Sequence, residues 1–268
     1  MIEISENQVN KKIKSLNLKK GSSCLLHSSL IKIGKIQGVK IDDTPKVIIN
    51  LILKEIGTHG TLSVLTPSYE YSNLKKIFDL GNGKCSKKVG SINQYMAKIC
   101  KSRSKDPTFN ISSIGKMANY INKNVSPTSF GLDSSWDRLY KLNTDMIFLG
   151  CNLSVCTFVR YIENRFGVTY LYNKYFSTPI KKNGKIISNY SSSLLRYRQI
   201  EIQYELKSFE SHLLKKKLLR KTSSKNFTAM AIKMNPCLEE GILKLKKNCF
   251  YFLKKNPYMK KNKILPQD

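Results

Sequence analysis

The chain has 268 residues, 41% of them hydrophobic, which is enough to bury a core and excludes wholesale disorder. Its 47 lysines and arginines against 18 acidic residues give a formal charge of +29 at pH 7, a first pointer to a polyanion binder. Arginine supplies only seven of those cations and the surplus is spread along the chain, so most of it reads as lysine on an ordinary solvated surface, and nucleic acid is not expected as a partner.

In chain order, the N-terminus carries no apolar leader, and no stretch approaches the ~20 apolar residues of a membrane span; the protein is expected in the cytoplasm. Ser5 can cap an amphipathic helix bearing Val9, Ile13 and Leu16 on one face. The run Cys24-Leu25-Leu26 reads as a buried strand ending in His27-Ser28-Ser29-Leu30. Thr44-Pro45 reads as the cap and first residue of a helix with Val47, Ile48, Leu51 and Ile52 at helical spacing, stopped by Gly57. Thr61 to Leu65 is β-like and ends before Pro67. Strand, helix, strand predicts a βαβ unit whose strand ends gather at one edge, where α/β proteins bind ligands.

Ser68 to Gly90 shows no periodicity, and a loop of that length inside a compact domain suggests a lid or binding loop. Ser91 is expected to cap a helix containing Ile92, Tyr95, Met96 and Ile99. A further buried strand is expected at Met146 to Leu149, then a helix from Thr157 to Phe166, a β-hairpin within Ser188 to Tyr204, and a last helix from Glu239 to Lys255 with Leu243, Phe250 and Leu253 inward. Seven cysteines without a C-x-x-C pair, beside only three histidines, point to free thiols and no metal.

The strong local signatures of catalysis are missing: there is no P-loop, no G-x-G-x-x-G, no G-x-S-x-G and no H-E-x-x-H. What remains are polar residues at strand ends, His27-Ser28-Ser29, Ser68-Tyr69-Glu70 and Cys151-Asn152, together with Arg103-Ser104-Lys105-Asp106-Pro107 and Arg160 with Glu163. Each has an ordinary reading. His27 can be a satisfied strand-end histidine, Asp106-Pro107 a turn, and Arg160 with Glu163 an (i, i+3) surface pair worth ~0.3 kcal/mol.

Taken in order, these segments resemble the aminoglycoside 3-N-acetyltransferase family, an acetyltransferase fold distinct from the GNAT type. The landmarks are His27-Ser28-Ser29-Leu30 with Gly34; Gly57 through Leu62 and Thr66-Pro67; Arg103-Ser104 with Asp106-Pro107; Ser129 through Tyr140; Leu149-Gly150-Cys151; Cys156-Thr157-Phe158; and Glu163. The resemblance runs from about Ile13 to Tyr258. It implies one α/β domain over 1–268, with a central mixed β-sheet flanked by helices and a Lys-rich tail from about residue 256.

It also implies acetyl-CoA-dependent acetylation of a sugar amino group, with no metal. By the same resemblance His27, Ser28, Ser29, Leu30 and Gly34 are candidate coenzyme contacts, with Arg103, Ser104, Phe130 and Gly131 nearby. Tyr69, Glu70, Asp133 and Tyr161 are candidate substrate contacts. The expected partners are acetyl-CoA and a small amino sugar, with a homodimer as the candidate assembly. Two departures matter. Asp106-Pro107 stands where many antibiotic-modifying members have His-Pro, as in a subgroup associated with surface-polysaccharide biosynthesis. Arg160 stands where relatives carry the histidine that pairs with the glutamate matching Glu163, and arginine cannot act as a base. Three readings are open: Asp106 or Glu163 serves as the catalytic base with Arg160 as an orienting group; Arg160 binds an anionic substrate such as a nucleotide-linked or carboxylated amino sugar; or the chain is a catalytically inactive relative that binds coenzyme A or a polyanion. The expected acceptor is a nucleotide-linked precursor of a bacterial surface polysaccharide, with an aminoglycoside antibiotic as the alternative.

Overall fold

Apolar runs without polar alternation, such as Cys24-Leu25-Leu26 and Met146-Ile147-Phe148-Leu149, need cover on both faces of a sheet. The computed structural model, which describes residues 3–74, 76–222 and 227–258, provides that cover. Nine strands position the site: β1 (Ser23–Ser28), β2 (Thr61–Leu65), β3 (Ser102–Arg103), β4 (Ile111–Gly115), β5 (Asp145–Leu149), β6 (Leu171–Phe176), β7 (Ser191–Arg196), β8 (Arg220–Thr222) and β9 (Ala229–Lys233). Seven of them form one mixed sheet in the order β8-β9-β5-β1-β2-β4-β3. Its centre, β5-β1-β2, is parallel, and β9 and β4 flank it antiparallel.

Helices cover both faces: α1 (Glu6–Lys14), α2 (Thr44–Ile56) and α3 (Ser91–Ile99) on one; α4 (Ser135–Lys141), α5 (Phe158–Phe166), α6 (Lys207–Lys215) and α7 (Met234–Lys247) on the other. The period-2 pleat divides each strand between the two layers. Cys24, Leu26, Ile147 and Leu149 pack with Val9, Ile48, Ile52 and Met96, whereas Leu25, Met146 and Phe148 pack with Trp136, Phe158, Ile162 and Cys237. Among the described residues no helix is long and apolar enough to cross a membrane.

Most expected elements form within a residue or two. Ser5 caps α1 in a capping box with Gln8, Gly57 ends α2 at φ 72°, and β1 and β2 pair in parallel across α2. Two caps move by one position: Asp43, the last residue of a short 3-10 turn, precedes α2, and Gly90, not Ser91, precedes α3. The aperiodic stretch after Ser68 holds a short helix (Tyr69–Leu74) and a two-residue strand (Phe78–Asp79) that pairs with Ile180–Lys182.

Two expectations are corrected. The hairpin does not lie within Ser188 to Tyr204: β7 pairs antiparallel with β6, from Ser191 opposite Phe176 to Arg196 opposite Leu171. The last helix begins at Met234 and ends at Lys247, so Leu243 is 49% exposed, while Cys237, Leu238 and Leu245 face inward. Pro236 sits in its first turn, where a missing N–H costs nothing. Phe250 and Leu253 follow in a turn that bridges to Tyr204. Of the Lys-rich tail, residues 259–268 lie outside the described residues.

Candidate active site

The parallel strands β1 and β5 leave their C-terminal ends side by side where the strand order reverses, the position at which open α/β sheets bind ligands. Ser29 starts the turn after β1, and its backbone N–H donates to the Leu149 carbonyl at 2.9 Å. Gly150 leaves β5 at φ 67°, and a Cβ there would lie 2.7 Å from the Ser29 carbonyl oxygen. The two strand exits can lie this close only because residue 150 has no side chain. Gly150→Ala is expected to cost about 1–3 kcal/mol in urea unfolding and to raise the KM for acetyl-CoA. An unchanged KM would remove this edge from coenzyme binding.

His27 lies beneath the same edge, stacked 4.7 Å from Phe148, and burial pushes its pKa down to about 4. Its Nε2 accepts a long 3.5 Å contact from the backbone N–H of Thr157, the residue before α5. The turn after β1 is thereby tied to the helix that carries Arg160. Ser28, Ser29 and Leu30 are half-buried at this edge, and Gly34 closes the turn at φ 100°.

Two clefts meet at Arg160 and Phe109. One, of about 190 Å³, is lined by Ser154, Val155, Cys156, Thr157, Val159, Tyr204 and Leu206 as well. The other, of about 400 Å³, adds Tyr69, Thr108, Phe176, Leu194, Leu195 and Arg196 to the shared pair. Arg160 stacks 4.3 Å over the Tyr204 ring, and its Nη1 lies 3.5 Å from Glu163 Oε2. Glu163 sits behind it, fully buried, accepting Tyr170 Oη–H at 2.7 Å on Oε1 and Tyr204 Oη–H at 2.9 Å on Oε2. Burial raises its pKa to about 6, against the opposing pull of Arg160 and the two tyrosine hydroxyls.

This geometry sorts the candidate catalytic residues. Glu163 lines neither cleft and spends both oxygens on tyrosine hydroxyls, so it holds Arg160 and Tyr204 in place and is not presented to a substrate amine. Asp106 is not presented either. Its Oδ1 accepts the Thr108 N–H at 2.9 Å and the Ser193 hydroxyl at 3.3 Å, and its Oδ2 accepts the Phe109 N–H at 2.8 Å. These bonds make an Asx turn that delivers Thr108 and Phe109 to the cleft. Burial raises the Asp106 pKa to about 6. Arg160 is therefore the one member of the expected catalytic set that lines the clefts.

Other candidates are displaced. Tyr161 projects into the core, its hydroxyl donating to Asp137 at 2.7 Å. Asp133 clamps Arg138, which in turn holds the Tyr120 and Lys123 carbonyls. Phe130 is buried between Phe109 and Trp136, and Gly131 packs against Thr128. Arg103 is buried, donating to Asn110 and to the Lys84 carbonyl, while Ser104 accepts the Ile111 N–H. Both brace the loop that bears Asp106, and neither is among the residues lining these two clefts. Glu70 is exposed and accepts the Ser86 hydroxyl; of its pair only Tyr69 reaches the larger cleft.

The profile of the aminoglycoside 3-N-acetyltransferase family matches residues 25–246. The chain belongs to this family. The class of chemistry that goes with membership is N-acetyl transfer from an acyl-coenzyme A donor. Among solved structures, aminoglycoside acetyltransferase AAC(3)-Xa is 16% identical with a TM-score of 0.75, covering 91% of this chain and 93% of its own. AAC-VIa bound to sisomicin is 15% identical with a TM-score of 0.75, covering 92% and 99%. AAC-IIIb in a binary complex with CoASH is 14% identical with a TM-score of 0.74, covering 96% and 100%. A search of curated proteins returned no match.

Arg160 and Glu163 lie on one helix, as their spacing implies, whereas the residues that surround them come from other elements. Tyr170, Tyr204 and Arg196 were missed, because they lie 7, 41 and 33 positions from Glu163 with no motif joining them. Thr157 lies inside the landmark Cys156-Thr157-Phe158 and Phe109 two residues beyond Asp106-Pro107, and no role was attached to either. Among the described residues no group of three or more His, Cys, Asp or Glu is placed to hold a metal ion.

Proposed function

We propose that the protein is a cytoplasmic acetyltransferase that moves the acetyl group of acetyl-CoA to an amino sugar, specifically a nucleotide-linked precursor of a surface polysaccharide. The single observation that carries this choice is the lining of the two clefts around Arg160: it contains Arg160 and Arg196 and no carboxylate. A polycationic aminoglycoside needs acidic partners, whereas an acceptor bearing phosphate meets complementary charge. Family membership and the sisomicin-bound relative favour the second reading, acetylation of an aminoglycoside.

In the proposed arrangement the turn Ser28-Ser29-Leu30 with Gly34 holds the coenzyme, and the smaller cleft, reached past Thr157, takes its acyl end. The Thr157 hydroxyl lines that cleft as a donor, while the Ser154 hydroxyl is spent on Asn152 Oδ1. The amine nitrogen bonds to the acetyl carbon, the carbon–sulfur bond breaks, and the amine proton ends on the coenzyme thiol. No cleft-lining side chain is a neutral base at pH 7, so the amine reacts in its unprotonated fraction. Tyr69, whose pKa is raised by burial, stays protonated in the wall of the larger cleft.

The test is thiol release from acetyl-CoA with purified protein. Nucleotide-linked amino sugars should accelerate it and tobramycin-like aminoglycosides should not. Acceleration by the aminoglycosides alone would select the second reading, and none with either set would leave a binding protein.

A further inference from the structure

The larger cleft holds a charge imbalance that acetyl transfer does not require. Arg160 and Arg196 both line it, and both sit close enough to Glu163 to lower its pKa, so two guanidinium groups share one carboxylate. That carboxylate faces away, bound to Tyr170 and Tyr204. Arg160 makes a single 3.5 Å hydrogen bond with Glu163, and Arg196 makes one to the Ile202 carbonyl at 3.2 Å. Each guanidinium has five N–H donors in a planar fork, so most of the donors on both remain for the cleft. Lys174, on the strand paired with β7, adds a third cation 5.8 Å from the ring of cleft-lining Phe176.

We propose that Arg160 and Arg196 form an anion subsite in the acceptor half of the cleft, which grips a phosphate or carboxylate substituent of the acceptor amino sugar. Two forks converging on one cleft suit the bidentate recognition of such groups. Tyr204 fixes one fork by stacking at 4.3 Å, while the exposed Arg196 closes from the rim. Residue 160 thus reads the charge of the acceptor.

The inference rests on the proposed acceptor class, and its test reads binding without turnover, so the two can fail separately. Calorimetry with inorganic pyrophosphate and, in a parallel arm, malonate is performed on protein saturated with coenzyme A, which blocks the coenzyme's own phosphate contacts. Wild type is expected to bind at least one of the two, and R196Q to bind it at least tenfold more weakly, with R196K intermediate. The arm that binds separates phosphate from carboxylate. No heat with either probe, or equal affinity in R196Q and wild type, overturns the subsite even if acetyl transfer proceeds. In turnover, R196Q should raise the KM for a charged acceptor at least tenfold more than for its uncharged analogue. An equal rise for both also overturns it.

Discussion

Arg160→Ala is expected to lower kcat/KM for a charged acceptor about 100-fold, the order expected when one partner of a close, desolvated charge pair is truncated. Arg160 is the one residue shared by both clefts that carries a charge, and its side chain is only 17% exposed. The stability loss should be smaller than the activity loss, because Glu163, already near pKa 6, takes up a proton once the guanidinium is gone. Arg160→His is the sharper experiment. An imidazole there has an ordinary pKa near 6.5 beside an acceptor carboxylate, so it restores a group that can take a proton. The kcat/KM of wild type should rise with pH only as the acceptor amine deprotonates. The histidine variant should gain a second limb near pH 6 to 7 and lose preference for charged acceptors. A limb near pH 6 in wild type would return the role of base to Glu163 or Asp106.

How far the sequence led depends on the range of the interactions involved. Local patterns were sufficient for the sheet centre, where Cys24-Leu25-Leu26 and Met146-Ile147-Phe148-Leu149 form β1 and β5 within a residue or two. They failed where one partner is remote. The strand β7 was visible, but its partner β6 alternates only Leu171 inward and lies 15 residues before β7 begins. The helix α7 starts at Met234, five residues before the expected Glu239: Pro236 is tolerated in its first turn, and Gly241 packs tightly on Ile162 of α5.

The site divides in the same way. Arg160 and Glu163 are three residues apart on one helix, so their pairing was legible. That Glu163 faces inward was not, since it depends on hydroxyls from Tyr170 beyond the helix and Tyr204 beyond the hairpin. Asp106 shows the converse: a turn is the ordinary reading of Asp-Pro, and the bonds from the next two free backbone N–H groups form that turn.

Glu163→Ala should be the most destabilising change at the site. It orphans the Tyr170 and Tyr204 hydroxyls and leaves Arg160 without its carboxylate. Breaking a buried pair costs about 3–5 kcal/mol, which for a domain of this size is roughly a 10 °C fall in Tm. Glu163→Gln keeps the shape and an acceptor, so it should lose much less. The pH dependence separates packing from charge. The folded pKa of Glu163 is raised from 4.5 to about 6, so between these values the folded state holds more of its proton than the unfolded state does. Stability from this group is therefore full below pH 4.5 and is lost as pH rises through 6, flat thereafter; Asp106, raised from 3.8 to about 6, acts in the same direction from a lower starting pH. Urea unfolding from pH 4 to 7 should show this decline in wild type, a shallower one in Glu163→Gln, and the shallowest in Glu163→Gln combined with Asp106→Asn. If all three slopes coincide, neither carboxyl is held protonated by burial, and Glu163 is a fixed anion whose role is to anchor Arg160 at every pH.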